Sequence, residues 1–490
     1  MALFESILTL MLLAILLLQV SRRLGIPYPT MLAAAGLGVA ALPWAPGITL
    51  DPHLVLALFI APALLDAAYD FPVRAIQRYW IALFALAVVA VIVTTAAVAW
   101  LGVAYAGMPV GVGVALGAIV SPPDAAAATA MLKRPSVPRS TATVLKGESL
   151  LNDAVALLIF SVAVRMTLAA DANSGFSWPQ LALAVPGGIL FGIVAGRVAG
   201  WLAPYLSGTL GSLLFQFTMT FGIWIIAERL GLSAILAVVA TAMTAARYTG
   251  SADARDRLHT DSVWNVVVFV LNVLAFLFVG LQARVIVREL DPAELRHALG
   301  FSFAVLGVVV GVRVVLVMAY NRAIQPVYRR LGYGPGPTLK QGILASWCGM
   351  RGMVTLAAAL ALPESFPQRG LIVLSALTVV LGTLVIQGLT LGPLVRLLRF
   401  PEDTSQQEEL AIARGALVDA AANACGSGDC ANALNDTEQR LATVRAQRTA
   451  LNRLRNEGRI EEDTFRTIEQ ELDLEEVAAT RNRRFDLVDA

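Results

Sequence analysis

Up to about residue 400 the chain is a succession of apolar blocks, each near the length of a bilayer crossing, separated by short polar or basic stretches. Beyond that point the pattern turns charged and amphipathic. A span needs roughly 17–25 mostly apolar residues. On that measure the blocks predict about thirteen membrane helices: 3 to 20, 30 to 44, 52 to 69, 80 to 104, 110 to 132, 144 to 168, 181 to 205, 211 to 228, 232 to 248, 263 to 283, 298 to 321, 339 to 362 and 370 to 398. The second is short, and the tenth has room to begin earlier.

Two blocks are interrupted in the middle. The fifth contains Val120-Ser121-Pro122-Pro123-Asp124, where tandem prolines remove backbone donors and disfavour helix at the residue before them. The twelfth contains Trp347-Cys348-Gly349-Met350-Arg351-Gly352, loosened by its two glycines. The two breaks lie seven spans apart. That offset, with an odd number of spans, predicts an inverted repeat of six-helix units whose broken helices cross near the bilayer midplane, the plan of many secondary transporters. The expected fold is thus an all-α membrane protein with two crossed broken helices.

The sixth block opens on polar residues, Gly147-Glu148-Ser149-Leu150-Leu151-Asn152-Asp153, before turning apolar. At helical spacing Ser149, Asn152, Asp153 and Ala156 share a face. An ionised acid near the bilayer centre costs about 2.5–3.5 kcal/mol on insertion scales, so such groups face a watery cavity and bind something charged. Asp153 and Asp124 are the deepest acids. Asp66 lies near the end of the third span. Glu148 and Arg351 have opposite signs at similar depth and are expected to pair, while the partner of Arg313 is not identifiable. Asn272 and Gln387 are expected to hydrogen-bond between helices. Carboxylates, a hydroxyl, an amide oxygen and carbonyls freed at a helix break are hard oxygen ligands, suited to a small alkali cation or a proton. One carboxylate that is either protonated or cation-bound would by itself yield exchange.

After the last span, Glu402 to Glu409 reads as a polar linker. Thr437 to Asn456 carries Leu441, Val444, Leu451 and Leu454 at helical spacing, Glu457-Gly458-Arg459 reads as a turn, and a second helix starts near Asp463. The expected tail is a helical hairpin, giving two domains: a membrane domain at 1–400 and a cytoplasmic tail at 401–490. Composition agrees. The chain is 57% hydrophobic and 15% charged, against averages of roughly 45–50% and 25% for soluble domains. Its net charge of +2 divides into −8 for residues 401–490 and +10 for the rest. Loops after odd-numbered spans hold fifteen basic residues and the others five, which places the N-terminus outside and the tail in the cytoplasm. No nucleic-acid footprint is present. Three cysteines are too few for a disulfide framework, so Cys425 and Cys430 read as plain thiols in a loop. The three histidines, read as loop residues, form no cluster, and an enzyme is not expected.

Gly147-Glu148-Ser149-Leu150-Leu151-Asn152-Asp153 resembles the signature of the monovalent cation/proton antiporter family, which includes bacterial sodium/proton antiporters and animal sodium/hydrogen exchangers. Ser121-Pro122-Pro123-Asp124 is similar to that family's broken-helix motif, Leu65-Asp66-Ala67-Ala68-Tyr69 to its third-span acidic motif, and Gly349-Met350-Arg351-Gly352 to its second broken helix. The resemblance covers residues 1 to 400. It implies an inner-membrane sodium/proton antiporter that works as a homodimer without a cofactor. It also implies that Asp153 binds ion and proton, with Asp124, Ser149, Asp66 and the Pro123 carbonyl contributing. Asn152 would orient the site, Glu148 and Arg351 would form a structural pair, and the Asn-Asp pair implies electroneutral exchange. Here Pro123 replaces a frequent Thr and Asp66 a frequent Glu. Potassium/proton exchange and ion-coupled uptake of an organic solute are the alternatives on the same fold.

Overall fold

The structure, a computed structural model, describes residues 2–24, 31–32, 35–36, 56–69, 71–124, 137–172, 178–206, 210–247, 254–289, 292–331, 336–401, 404–426 and 436–486. Regular structure among them is helical throughout. In chain order the helices are α1 (Ala2–Leu24), α2 (Ala61–Tyr69), α3 (Val73–Phe84), α4 (Ala90–Ala106), α5 (Val110–Val120), α6 (Arg139–Ala172), α7 (Trp178–Leu206), α8 (Leu210–Arg229), α9 (Ala234–Ala245), α10 (Ala254–Glu289), α11 (Pro292–Leu331), α12 (Leu339–Trp347), α13 (Met353–Leu360) and α14 (Arg369–Leu398). The tail adds α15 (Ser405–Gly426), α16 (Asp436–Glu457) and α17 (Glu462–Asp486). Wider π-helical turns at Leu56–Ile60 and Ala85–Val89 lead into α2 and α4.

Seven described helical stretches are long and apolar enough to cross a membrane: 74–106, 139–168, 183–206, 211–229, 257–275, 294–326 and 369–398. The expected second span and the far half of the fifth lie largely outside the described residues. The outer faces of the seven described stretches keep large apolar groups exposed, among them Trp100, Trp201, Leu214 and Val315. Buried polar groups, including Thr94, Thr95, Asn152, Thr355 and Thr383, lie inside. Apolar outside and polar inside is the pattern of a chain whose solvent is lipid.

By spatial compactness the chain forms two units, one of residues 1–199, 217–247 and 266–401, the other of 200–216, 248–265 and 402–490. In the first, close packing is made by small residues. On α7, Gly188, Gly192 and Gly196 form one stripe against Ser233, Ala237 and Thr241 at and along α9. A Cβ at Gly188 or Gly196 would lie 2.7 Å from the carbonyl oxygen of Ser233 or Thr241. That approach lets the Thr241 hydroxyl reach across to the Gly192 carbonyl at 3.1 Å, the small-residue packing used where lipid provides no hydrophobic drive.

The tail differs from the expected hairpin. It is a three-helix bundle in which Ala413 and Leu417 of α15 join Val444, Leu451 and Leu454 of α16 and Ile460, Phe465, Ile468 and Leu472 around one core. The stretch read as a linker holds the first turns of α15. The reason is compositional: α15 buries mainly alanine, the strongest helix former but a weak marker of apolar periodicity. The Glu409 carboxylate fastens it to the start of α17, accepting from the Glu461 amide at 3.0 Å and the Thr464 hydroxyl at 2.7 Å. Gly458, with φ of 71°, closes the expected turn between α16 and α17. Asp473 is buried and takes two guanidinium groups, from Arg448 (2.8 Å) and from Arg257 near the start of α10 (2.9 Å). Cys425 lies in the last turn of α15, not in a loop, and Cys430 falls outside the described residues. His259 and His297 are on α10 and α11, not in loops.

Candidate functional site

Both expected breaks are present and they touch. α5 ends at Val120 and gives way to irregular backbone at Ser121–Asp124; α12 and α13 are separated by Cys348–Gly352. The Asp124 amide donates to the Met350 carbonyl at 2.6 Å, joining one break to the other. Asp124 itself lies over Gly352, where a Cβ would come within 2.7 Å of the Asp124 Cβ. No side chain fits there, so this glycine is required by close approach. Its carboxylate thereby sits at the N-terminus of α13, the positive end of a helix.

Arg351 does the converse. Its Nε donates to the Val120 carbonyl at 3.1 Å and its Nη2 to the Ser121 carbonyl at 3.3 Å, while Nη1 donates to the Gly349 carbonyl. The guanidinium therefore closes the C-terminal end of α5, whose last carbonyls have no helical partner. The Arg351 amide is held in turn by the Thr383 hydroxyl on α14 at 3.0 Å.

The expected Glu148–Arg351 pair is not what forms. Glu148 accepts both terminal nitrogens of Arg313, one at 2.9 Å, and Arg313 also donates to the Ala345 carbonyl at 3.2 Å. Both side chains are buried. Gly349 makes room for this arrangement, since a Cβ there would meet the Arg313 Nε at 3.0 Å. The sequence supplies two arginines and one glutamate at compatible depth, and only the backbone geometry decides between them. Arg351 is nearer to the freed carbonyls, which leaves Glu148 to the other.

Asn152 on α6 donates from Nδ2 to the Pro123 carbonyl at 3.1 Å, and its Oδ1 is buried without a hydrogen-bond partner. Asp153, the next residue, is buried and interacts electrostatically with Asp124. Ser149 is half-buried one turn before Asp153 on the same helix. Asp66 is half-buried on α2, a helix that packs against α6. The structure thus brings Asp153, Asp124, Asn152 and the Pro123 carbonyl to one junction and puts Asp66 on a neighbouring element. Among the described residues no three His, Cys, Asp or Glu groups converge as a metal cluster, so any cation held here is bound partly by amide, hydroxyl or carbonyl oxygen. Sequence reasoning missed Thr383, whose position in an apolar run gives no signal of its own. Gln387 was expected to bridge helices, but it is buried with neither amide atom paired.

A family profile described as sodium/hydrogen exchanger, transmembrane, matches residues 7–397. The chain belongs to the sodium/hydrogen exchanger family. This antiporter is similar to an uncharacterized Na(+)/H(+) exchanger of Mycobacterium tuberculosis, 29% identical over 92% of this chain and 91% of the relative. It is 30% identical to an uncharacterized Na(+)/H(+) exchanger of Escherichia coli, over 81% of this chain and 76% of that protein. A sodium, potassium, lithium and rubidium/H(+) antiporter of Bacillus subtilis is 30% identical over 74% of this chain and 56% of its own length. The solved sodium proton antiporter of Methanocaldococcus jannaschii at pH 8 covers 81% of this chain and 99% of its own, with a TM-score of 0.61 and 18% identity. That likeness shows the antiporter's fold.

Proposed function

We propose that the antiporter exchanges one sodium ion for one proton at the Asp153 carboxylate, with Asp124, Ser149 and the Pro123 carbonyl completing the oxygen set. Asn152 orients the site, and Asp66 contributes from α2. The observation that carries this reading is the meeting of two buried or half-buried acids, Asp153 and Asp124, with a bonded amide at the crossing of two broken helices. A cation and a proton exclude each other on one carboxylate, so exchange needs only that the site face each side in turn. Glu148 with Arg313, and Arg351 with its carbonyls, hold the broken helices in register. The same reading places residues 1–400 in the inner membrane as the translocating part of a homodimer, with the N-terminus outside and residues 401–490 as a cytoplasmic regulatory tail. The antiporter needs no cofactor beyond its transported ions. The name of the Bacillus subtilis relative favours a second reading in which potassium, lithium and rubidium are also carried; a panel of these cations in the same assay decides it.

The test is Asp153→Asn in proteoliposomes. Cation-driven proton movement is expected to vanish while the purified protein keeps its size and thermal transition. Retained exchange would remove Asp153 from the site.

A further inference from the structure

α10 opens its membrane-length stretch, 257–275, on an arginine. A guanidinium at such an edge ordinarily turns its head to water and lipid headgroups. That of Arg257 is instead 9% exposed and given to the tail. Its Nε donates to one oxygen of Asp473 at 2.9 Å and its Nη2 to the other, so a planar fork meets a planar carboxylate on α17. The two residues are 216 positions apart, and both belong to the second unit. Glu469 and Glu476, one turn to either side of Asp473, lie within electrostatic reach of the same guanidinium. Charge recognition of this kind is a docking contact, in which α17 holds the first turn of a span.

What sets this contact apart from a structural weld is how little would be lost on opening it. Asp473 has a second guanidinium, from Arg448 on α16 at 2.8 Å, which also bonds Glu476. A buried carboxylate that loses its only partner is stranded; Asp473, on losing Arg257, keeps Arg448. Arg257 in turn would return its head to water and headgroups. The described core of the bundle, running from Ala413 to Leu472, takes no side chain from α10, so the three tail helices close on themselves without it. The tie is strong by geometry, yet the bundle's own packing does not include it.

We propose that the Arg257–Asp473 contact is a brake: closed, it lets the tail bundle hold the start of α10 in place, and open, it releases α10 to move in the exchange cycle. The proposal rests on reading residues 1–400 as the translocating part and the tail as regulatory. Exchange needs the site to face each side in turn, by motion of one group of spans against another. A span clamped at its end to a packed bundle has either to carry the bundle along or to break a bidentate pair at each passage. Arg448 serves the released state, because it keeps Asp473 paired while Arg257 is away.

The experiment uses the purified full chain in proteoliposomes, with sodium-driven proton movement and amide hydrogen exchange read on the same preparations. Arg257→Gln is expected to raise amide exchange across the first turns of α10 while α16 and α17 stay protected. It should also raise the maximal rate severalfold, up to the roughly tenfold worth of a charge-assisted bond, at unchanged KM for sodium. Asp473→Asn should raise the rate likewise, and Arg257→Gln should add nothing in that background. Arg448→Gln leaves the tie in place and should loosen the bundle without raising the rate. An unchanged or lower rate in Arg257→Gln, or an effect of equal size in the parent and in the Asp473→Asn background, would overturn the brake. So would a rise with Arg448→Gln as large as with Arg257→Gln, since loosening the tail alone would then suffice. Unchanged amide exchange in α10 would overturn the tie itself. Hydrogen exchange reads the tie whichever cation is carried, so a failure of the reading at Asp153 is distinguishable from a failure of this one.

Discussion

The two buried arginines show how one residue type solves two different problems. Arg351 brings no carboxylate into hydrogen-bond contact; it spends its donors on two carbonyls at the first helix break, Val120 and Ser121, and on one at the second, Gly349. Each such carbonyl, unmet in a membrane interior, would cost several kcal/mol, and a guanidinium presents its donors in a fixed fork that one side chain can spread across them. Arg313 instead neutralises Glu148 across α6, α11 and, through Ala345, α12. Removing one partner of a buried pair strands the other charge, at a cost of about 3–5 kcal/mol. Glu148→Ala and Arg313→Ala are therefore each expected to lower the thermal transition of the detergent-solubilised antiporter strongly, and the double variant to lower it less than the two effects added. A double-variant cycle measures this, and strict additivity would show that the pair is not coupled. At this scale Asp124, Asp153 and Asn152 were legible in the sequence, because an acid inside an apolar block stands out. The pairing of Glu148 was not, since charge signs and depths do not say which guanidinium the backbone will consume.

Among the elements, the two breaks were the most legible feature of the chain, because Pro122-Pro123 and Gly349–Gly352 act on the backbone itself and no packing overrides them. α15 was illegible for the opposite reason. Two of its three described buried positions, Ala413 and Ala424, are small, so its place is fixed by docking onto α16 and α17 and by the Glu409 contacts, all of them distant in sequence. The packed tail makes its own prediction through Glu469 on α17. Burial, more than any neighbour, pushes this carboxyl above the usual range, with Asp473 adding to the shift and Arg257, Arg448 and Arg466 opposing it. A carboxyl whose folded pKa is raised favours the fold when protonated. Its favourable effect is complete below the unfolded value of about 4.3 and is lost as pH rises through the folded value. Glu469→Gln, which keeps the neutral form at every pH, is thus expected to stabilise the tail at neutral pH and to match the parent in acid. Denaturant titration of tail helicity in the full chain at several pH values checks it; an equal gain at all pH values would mean that the substitution acts by packing alone.

For the molecule as a whole, the charges of the first unit bear on what crosses the membrane. Glu148 and Arg313 cancel, and the junction holds the acids Asp124 and Asp153 together with Arg351, whose side-chain donors go to carbonyls of the two breaks. On the proposed reading the guanidinium balances one ionised carboxylate, and the empty junction is left with one uncompensated negative charge in an apolar body, which makes its passage between the two faces costly. One sodium ion or one proton removes that charge, so both loaded forms are neutral and both can cross. The same arrangement disfavours a cation leak, because the return of an empty site carries the unpaired charge. The proposed exchange is then one for one, and its rate and end point in proteoliposomes should be indifferent to an imposed potassium diffusion potential. A cycle moving one net charge would feel about 2.3 kcal/mol per 100 mV, a displacement of roughly fiftyfold in the exchange equilibrium. A displacement of that size under a 100 mV potential would mean that Asp124 and Asp153 take up charge together, and that Arg351, held among carbonyls, does not offset either of them.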